Sequence, residues 1–336
     1  MSPRERRNPA ASVRQRLLSR ARVRGEDFQL VLTWYGIERL LYRLSQSTHG
    51  ESFVLKGAML FSFWSGEAHR PTRDLDLLGF GDPRVERMEE VFRSVCQVRC
   101  EDGLQFDPAS VHGEEIRASD EYDGVRIKVA ARLAGARVRL QVDVGFGDAV
   151  VPRPETIDYP TLLDFPPPRV LAYPREVVVA EKFQALVELG MANTRMKDFY
   201  DLWVLARRFA FDGERLSKAI AATFERRRTP IPLGPPLALT QEFHDDPAKA
   251  DPVEGLPTQG SSRGEGGARS RRRADLVVPR TSGRRCTLGR CIARNLAGRW
   301  PVELTANPRF RMGRGDRMEI VGLALRRRCA RGVSVG

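Results

Sequence analysis

No run of eighteen apolar residues occurs in this chain of 336, so a membrane-spanning helix is not expected. Cysteine is sparse, five in all and scattered, and an odd number offers no disulfide framework; a reducing cytoplasm is the simplest setting. Cys96 and Cys100 have no second pair, and Cys286 and Cys291 have no histidine partner, so the spacing of a zinc site is lacking. The first 24 residues hold eight Arg but no apolar core, which excludes a secretory signal. Gly145-Phe146-Gly147 lacks the third glycine of a dinucleotide fingerprint. No helix-turn-helix pattern and no internal repeat is visible, and lysine is absent from the last 86 residues.

Charge is plentiful but unevenly placed. The net charge is +13, of which residues 251–336 carry +12 through 19 Arg and 7 acids. The body, residues 25–250, stands at −6. Electrostatic attraction to nucleic acid would therefore come from the two ends. The last 86 residues also hold 13 Gly and only two aromatics, Trp300 and Phe310, with no sustained apolar period. Such a tract buries too little to offset its ordering entropy. It reads either as a disordered basic tail or as an out-of-frame replacement of a helical C-terminus.

Between the ends, periodicity predicts an α+β fold: a mixed sheet with flanking helices, then a helical subdomain. Apolar positions Leu30, Trp34, Ile37, Leu41 and Leu44 recur at helical spacing over Phe28 to Ser47, with Glu38, Arg39 and Arg43 elsewhere on the wheel. Phe53-Val54-Leu55 reads as a strand, Met59 to Trp64 as a short helix, and Asp74 to Leu78 as a second strand. A helix is expected from Pro83 to about Gln97. Strands over Val125–Leu133 and Arg137–Val144 join through Ala134-Gly135-Ala136 as a hairpin. A proline-rich connection, Pro152 to Pro168, reads as irregular. Helices follow from Pro174 to Leu189, Thr194 to Phe209 and Glu214 to Arg226. The resulting division is a basic arm (1–24), a core (25–150), a helical subdomain (151–228), a proline-rich linker (229–250) and the tail (251–336).

Chemistry concentrates in a few residues. In Asp74-Leu75-Asp76 the two carboxylates point to one face of a strand, with alpha carbons about 7 Å apart. Adjacent carboxylates require protonation or a cation, and Mg²⁺ (or Mn²⁺) is the natural hard partner. Asp143, on the polar face of an otherwise aliphatic strand, would supply a third ligand; the alternative is an ordinary pair with Arg137 or Arg139. Lys56-Gly57-Ala58 lies between strand and helix, where small residues admit a phosphate to a helix N-terminus, or make a plain turn. Lys182 sits among Val177, Val178, Val179, Ala180, Phe183, Ala185 and Leu186, and needs either a partner such as a phosphate or a route to solvent. Asp198 and Asp201 share a helix face and also suit a first-turn capping role. Arg195 and Lys197 beside them would meet nucleotide phosphates or water.

Taken in order, Val54-Leu55-Lys56-Gly57-Ala58, Arg73-Asp74-Leu75-Asp76-Leu77 and Val142-Asp143-Val144 resemble the carboxylate motifs of the DNA polymerase beta-type nucleotidyltransferase superfamily. Glu181-Lys182-Phe183-Gln184-Ala185-Leu186 and Arg195-Met196-Lys197-Asp198-Phe199-Tyr200-Asp201-Leu202 resemble the AbiEii/AbiGii toxin family, over about Ala10 to Ala250. The resemblance implies transfer of an NMP from an NTP to an acceptor with release of pyrophosphate. It assigns metal binding to Asp74, Asp76 and Asp143, triphosphate contact to Lys182, and an essential acid to the last motif, with Asp198 favoured. Arg73, Arg195, Lys197 and the Lys56-Gly57-Ala58 turn would bind substrate. It also implies an RNA acceptor (tRNA in some relatives) and a cognate antitoxin. Ala58 departs from the Gly-Gly or Gly-Ser turn usual in the superfamily and supplies no hydroxyl. Two other classes remain: a catalytically silent binding module on the same fold, and a basic nucleic-acid-binding protein.

Overall fold

The structure, a computed structural model, describes residues 9–66, 70–117 and 123–246. The expectation for the tail at 251–336 lies outside them. Elements in chain order are α1 (Pro9–Arg24), α2 (Phe28–Gln46), β1 (Phe53–Lys56), α3 (Met59–Ser65), β2 (Asp74–Gly79), α4 (Val85–Gln97), β3 (Leu104–Arg117), β4 (Asp123–Leu133), β5 (Ala136–Phe146), β6 (Glu155–Asp158), β7 (Arg169–Ala172), α5 (Arg175–Leu189), α6 (Met196–Arg208), α7 (Gly213–Arg226) and α8 (Gln241–Asp245). One unit comprises the described residues to Glu188 together with Lys218–Ile231; a second holds Leu189–Ser217 and the described residues from Pro232 onward.

The first unit is built on a seven-stranded mixed sheet in the order β3-β4-β5-β2-β1-β7-β6. Strand β2 runs parallel to β5 and antiparallel to β1, and β1 runs parallel to β7. The β4–β5 hairpin turns at Ala134 and Gly135, both with positive φ (45° and 82°), which fits the right-handed twist of the paired strands. In β5, Val138, Leu140, Val142 and Val144 are buried while Arg137 and Arg139 are exposed. Helices cover the aliphatic face. Gly36 of α2 lies so close to β5 that a Cβ there would meet Leu140 Cδ2 at 2.9 Å, and one on Gly113 of β3 would meet Val85 of α4 at 2.5 Å. A glycine at each crossing lets helix and strand approach.

Two expectations are corrected. Residues 9–24 are not a free basic arm. They form α1, which buries Val13, Leu17 and Ala21 at i, i+4, i+8 and packs on α2. The connection from Pro152 to Pro168 is not wholly irregular: it contains β6, which pairs with β7 and extends the sheet. Glu38, Arg39 and Arg43, off the apolar stripe of α2, are nevertheless buried, each 1–2% exposed. Asp102 accounts for the burial of the two arginines. It accepts a hydrogen bond from Arg39 Nε at 3.0 Å and two from Arg43 at 2.6 and 3.0 Å. Glu38 in turn accepts from the Leu162 N–H at 2.6 Å, so α2 fastens two loops with charged side chains inside the core. Burial pushes the Glu38 carboxyl up to about 7.

The second unit includes α6, the opening of α7, and α8. Phe199 of α6 stacks on Phe243 of α8 with ring centroids 5.5 Å apart.

Candidate active site

The sheet register assembles a row of charged side chains. Lys56 of β1 is the direct partner of Asp76 on β2, Asp76 of Asp143 on β5, and Asp143 of Arg126 on β4. Directly paired residues point to the same face, so one face of four adjacent strands presents the series plus, minus, minus, plus. Asp74, two residues before Asp76, joins the same face. Leu75 and Leu77, which alternate with them, are buried on the other. Alternation within β2 and β5, together with their parallel pairing, brings Asp143 beside Asp74 and Asp76, from which it is distant in sequence.

Asp76 is the electrostatic centre. Burial, with Asp143 and Asp74 beside it, pushes its carboxyl up to about 6, although Lys56 and Lys182 pull it down. The Lys182 ammonium on α5 is therefore among the charges that act on Asp76. Gly57 makes the closest approach. Its φ is +75°, and a Cβ there would fall 2.0 Å from Asp76 Oδ2. No side chain fits this position, so the glycine's smallness serves the Asp76 carboxylate directly. Ala58 is buried at the start of α3, and Arg73 is exposed just ahead of β2.

Two site residues are engaged differently from expectation. Asp143 is paired neither with Arg137 nor with Arg139. Arg126 grips it with both prongs of its guanidinium, Nε to Oδ1 at 2.9 Å and a terminal nitrogen to Oδ2 at 2.8 Å. This bidentate bond raises the Arg126 guanidinium further above its ordinary value. Lys56 does not stand open to a phosphate. Its Nζ lies 2.8 Å from Asp148 Oδ2 and 3.3 Å from Glu181 Oε2. Arg227 completes this cluster, 2.9 Å from Asp148 Oδ1 and hydrogen-bonded to Gln184 at 2.8 Å. Burial opposes both charges, yet Lys56 stays above the ordinary lysine value beside Glu181 and Asp148. Asp148 is held down to about 2 by Lys56 and Arg227.

Asp148, Glu181, Arg227 and Arg126 were not anticipated as site neighbours. For Arg126 a signal existed. The two-residue turn at Ala134-Gly135 pairs Leu133 with Ala136, and counting seven residues outward from each reaches Arg126 and Asp143. Asp148 and Arg227 come from loop and helix end, where no periodicity points to them. Arg195, Lys197 and Asp198 belong to the second unit, at the start of α6. There Asp198 is buried and its Oδ2 lies 2.7 Å from Arg195 Nε.

The donor set can be tested against a divalent cation. Among the described residues no group of three or more His, Cys, Asp or Glu is arranged to hold one. Asp74 and Asp76 nevertheless fit as a pair of hard oxygen donors on one face, and the burial cost that Asp76 pays for its charge is relieved by a cation. Asp143 fits only if Arg126 lets go.

A family model described as "Nucleotidyl transferase AbiEii toxin, Type IV TA system" matches residues 39–256, which span the whole row and both flanking motifs. The chain belongs to this AbiEii family. No curated protein matches it. Among solved structures, this AbiEii chain is similar to JHP933 from Helicobacter pylori at 13% identity and a TM-score of 0.38, covering 65% of this chain and 86% of that one. A second H. pylori structure, described as a candidate nucleotidyltransferase, matches at 15% identity and a TM-score of 0.37, covering 65% and 89%. No helix among the described residues is long and apolar enough to cross a membrane.

Proposed function

We propose that this AbiEii-family chain transfers an NMP from an NTP to an acceptor hydroxyl on RNA, a tRNA 3′ end being one such acceptor, and releases pyrophosphate. The observation that carries the reading is the row Lys56–Asp76–Asp143–Arg126 with Asp74 on the same face. In this reading Asp74 and Asp76 hold Mg²⁺ or Mn²⁺, which when bound supplies charge neutralisation for the triphosphate and lowers the pKa of the attacking hydroxyl. Lys182 approaches the triphosphate from α5 and offsets charge that builds on the departing pyrophosphate. The Lys56–Asp148–Glu181–Arg227 cluster ties α5 to the sheet and so positions Lys182. Gly57 leaves the Asp76 carboxylate its place. Within the second unit, Asp198, ion-paired with Arg195 and with Lys197 beside it in sequence, is the acid that the α6 motif contributes to transfer. The acceptor oxygen bonds to the α-phosphorus as the bond to the β-phosphate oxygen breaks, and its proton passes to a site carboxylate.

The family description also supports the role of toxin in a toxin–antitoxin pair, with a cognate antitoxin as partner. The Arg126 grip on Asp143 is the observation that favours a second reading, a catalytically silent nucleotide-binding module. Incubating the protein with each labelled NTP and total RNA separates the two. Incorporation lost in Asp74→Ala supports transfer, whereas nucleotide binding without incorporation supports the module.

A further inference from the structure

The polar face that carries the carboxylates continues along the hairpin beyond them. On β5 it passes from Asp143 through Gln141 to Arg139 and Arg137, which lie roughly 13 and 20 Å from Asp143 at the usual strand rise. On β4 it ends at Arg132. All three arginines are exposed. Arg132 and Arg137 are directly opposed partners across the two strands, an unfavourable pairing of like charges. Arg139 faces Ala130, which offers it nothing. Among the described residues none of the three makes an ion pair. Lys128, next along β4, is already taken by Glu114 at 2.8 Å. Asp107, in the same row as Arg139 beyond Ala130, instead accepts a hydrogen bond from the Ala109 N–H at 3.1 Å. This concentration does not follow from the body's overall charge, which is −6.

We propose that Arg132, Arg137 and Arg139 form the track on which the phosphodiester backbone of the acceptor strand lies, leading its reactive end to Asp74 and Asp76. The proposal rests on the nucleotidyltransferase reading, because it gives that reaction its acceptor surface. A polyanion fits for a physical reason. Three guanidiniums without counter-ions, two of them opposed, lose their mutual repulsion when phosphates lie between them. The track contributes affinity without reading sequence.

The test compares the full chain with its Arg132→Gln/Arg137→Gln/Arg139→Gln variant and with a control carrying Arg22→Gln/Arg87→Gln/Arg208→Gln, three exposed arginines elsewhere. Fluorescence anisotropy with a labelled tRNA, over a salt series, reads the surface without any need for turnover. The track variant is expected to bind at least tenfold more weakly, with a log–log salt slope shallower by about 2, since each phosphate contact contributes about 0.7–0.9. Its melting temperature should hold or rise, because a repulsive cross-strand pair has been removed. In the transfer assay its KM for RNA should rise while kcat and the KM for NTP stay. Equal weakening in track variant and control would show a bulk-charge effect and overturn the track, as would an unchanged slope. Absence of transfer in the wild-type chain, with the slope difference intact, would instead defeat the nucleotidyltransferase reading and leave the surface standing.

Discussion

Asp76 combines a demanding environment with the clearest pH signature in the molecule. Its carboxyl titrates near 6 in the fold and near the ordinary 3.8 when unfolded, so the folded state binds the proton more tightly. Burying its charge therefore costs stability that is absent at acid pH, grows from about pH 4 and is complete above about pH 6. Asp76→Asn should abolish transfer, yet raise stability above pH 6 by on the order of 1–3 kcal/mol relative to wild type. The gain should vanish near pH 4, and denaturant melts at the two pH values read the difference. Divalent-ion binding should weaken as pH falls through 6, when the proton competes for the same oxygens. Lys182→Ala should remove transfer with little change in melting temperature, because its helix is packed by Val178, Val179 and Phe183. A large stability loss would show that this lysine is structural. At this scale the sequence was informative where side-chain parity decides the outcome, as in Asp74-Leu75-Asp76. It was silent on Asp148 and Arg227, whose meeting depends on how a loop and a helix end return to the sheet.

Strands and helices explain why those residues meet. The tight turn at Ala134-Gly135 fixes the hairpin register, and the parallel pairing of β2 with β5 sets Asp76 beside Asp143. Gly57 is the narrowest point of this arrangement. Gly57→Ala combines a positive φ with a collision against Asp76, and should cost about 1–2 kcal/mol or more while lowering transfer at least tenfold. Full activity in that variant would mean the Asp76 carboxylate need not hold this position. In α2 the periodicity of Leu30, Trp34, Ile37, Leu41 and Leu44 was legible, but the burial of Arg39 and Arg43 was not, since it depends on one acid 59 residues beyond Arg43. Removing that acid should be severe. Asp102→Ala leaves two buried guanidiniums without their carboxylate and should cost about 3–5 kcal/mol, measured by denaturant melting. Loss below 1 kcal/mol would show that water or the carbonyls of Leu104 and Pro166 suffice.

In the molecule as a whole, charge and chemistry occupy different places. The chain's two ends together carry +19 against a net of +13, and the body that carries the carboxylate face is net negative. Order and spacing of short motifs were enough to indicate the AbiEii family, which the match over residues 39–256 establishes. The extension of the sheet by β6 and β7 was not legible, because strands of four residues amid prolines carry too short a pattern. The central claim is that Asp74 and Asp76 support nucleotidyl transfer. It is tested most directly by incubating the full chain with each α-labelled NTP, Mg²⁺ and total RNA, beside Asp74→Ala and Asp76→Ala. The account predicts labelled RNA and equimolar pyrophosphate with the wild-type chain and neither with the two variants. Incorporation that survives Asp76→Ala, or its absence from the wild-type chain with all four NTPs, would contradict it.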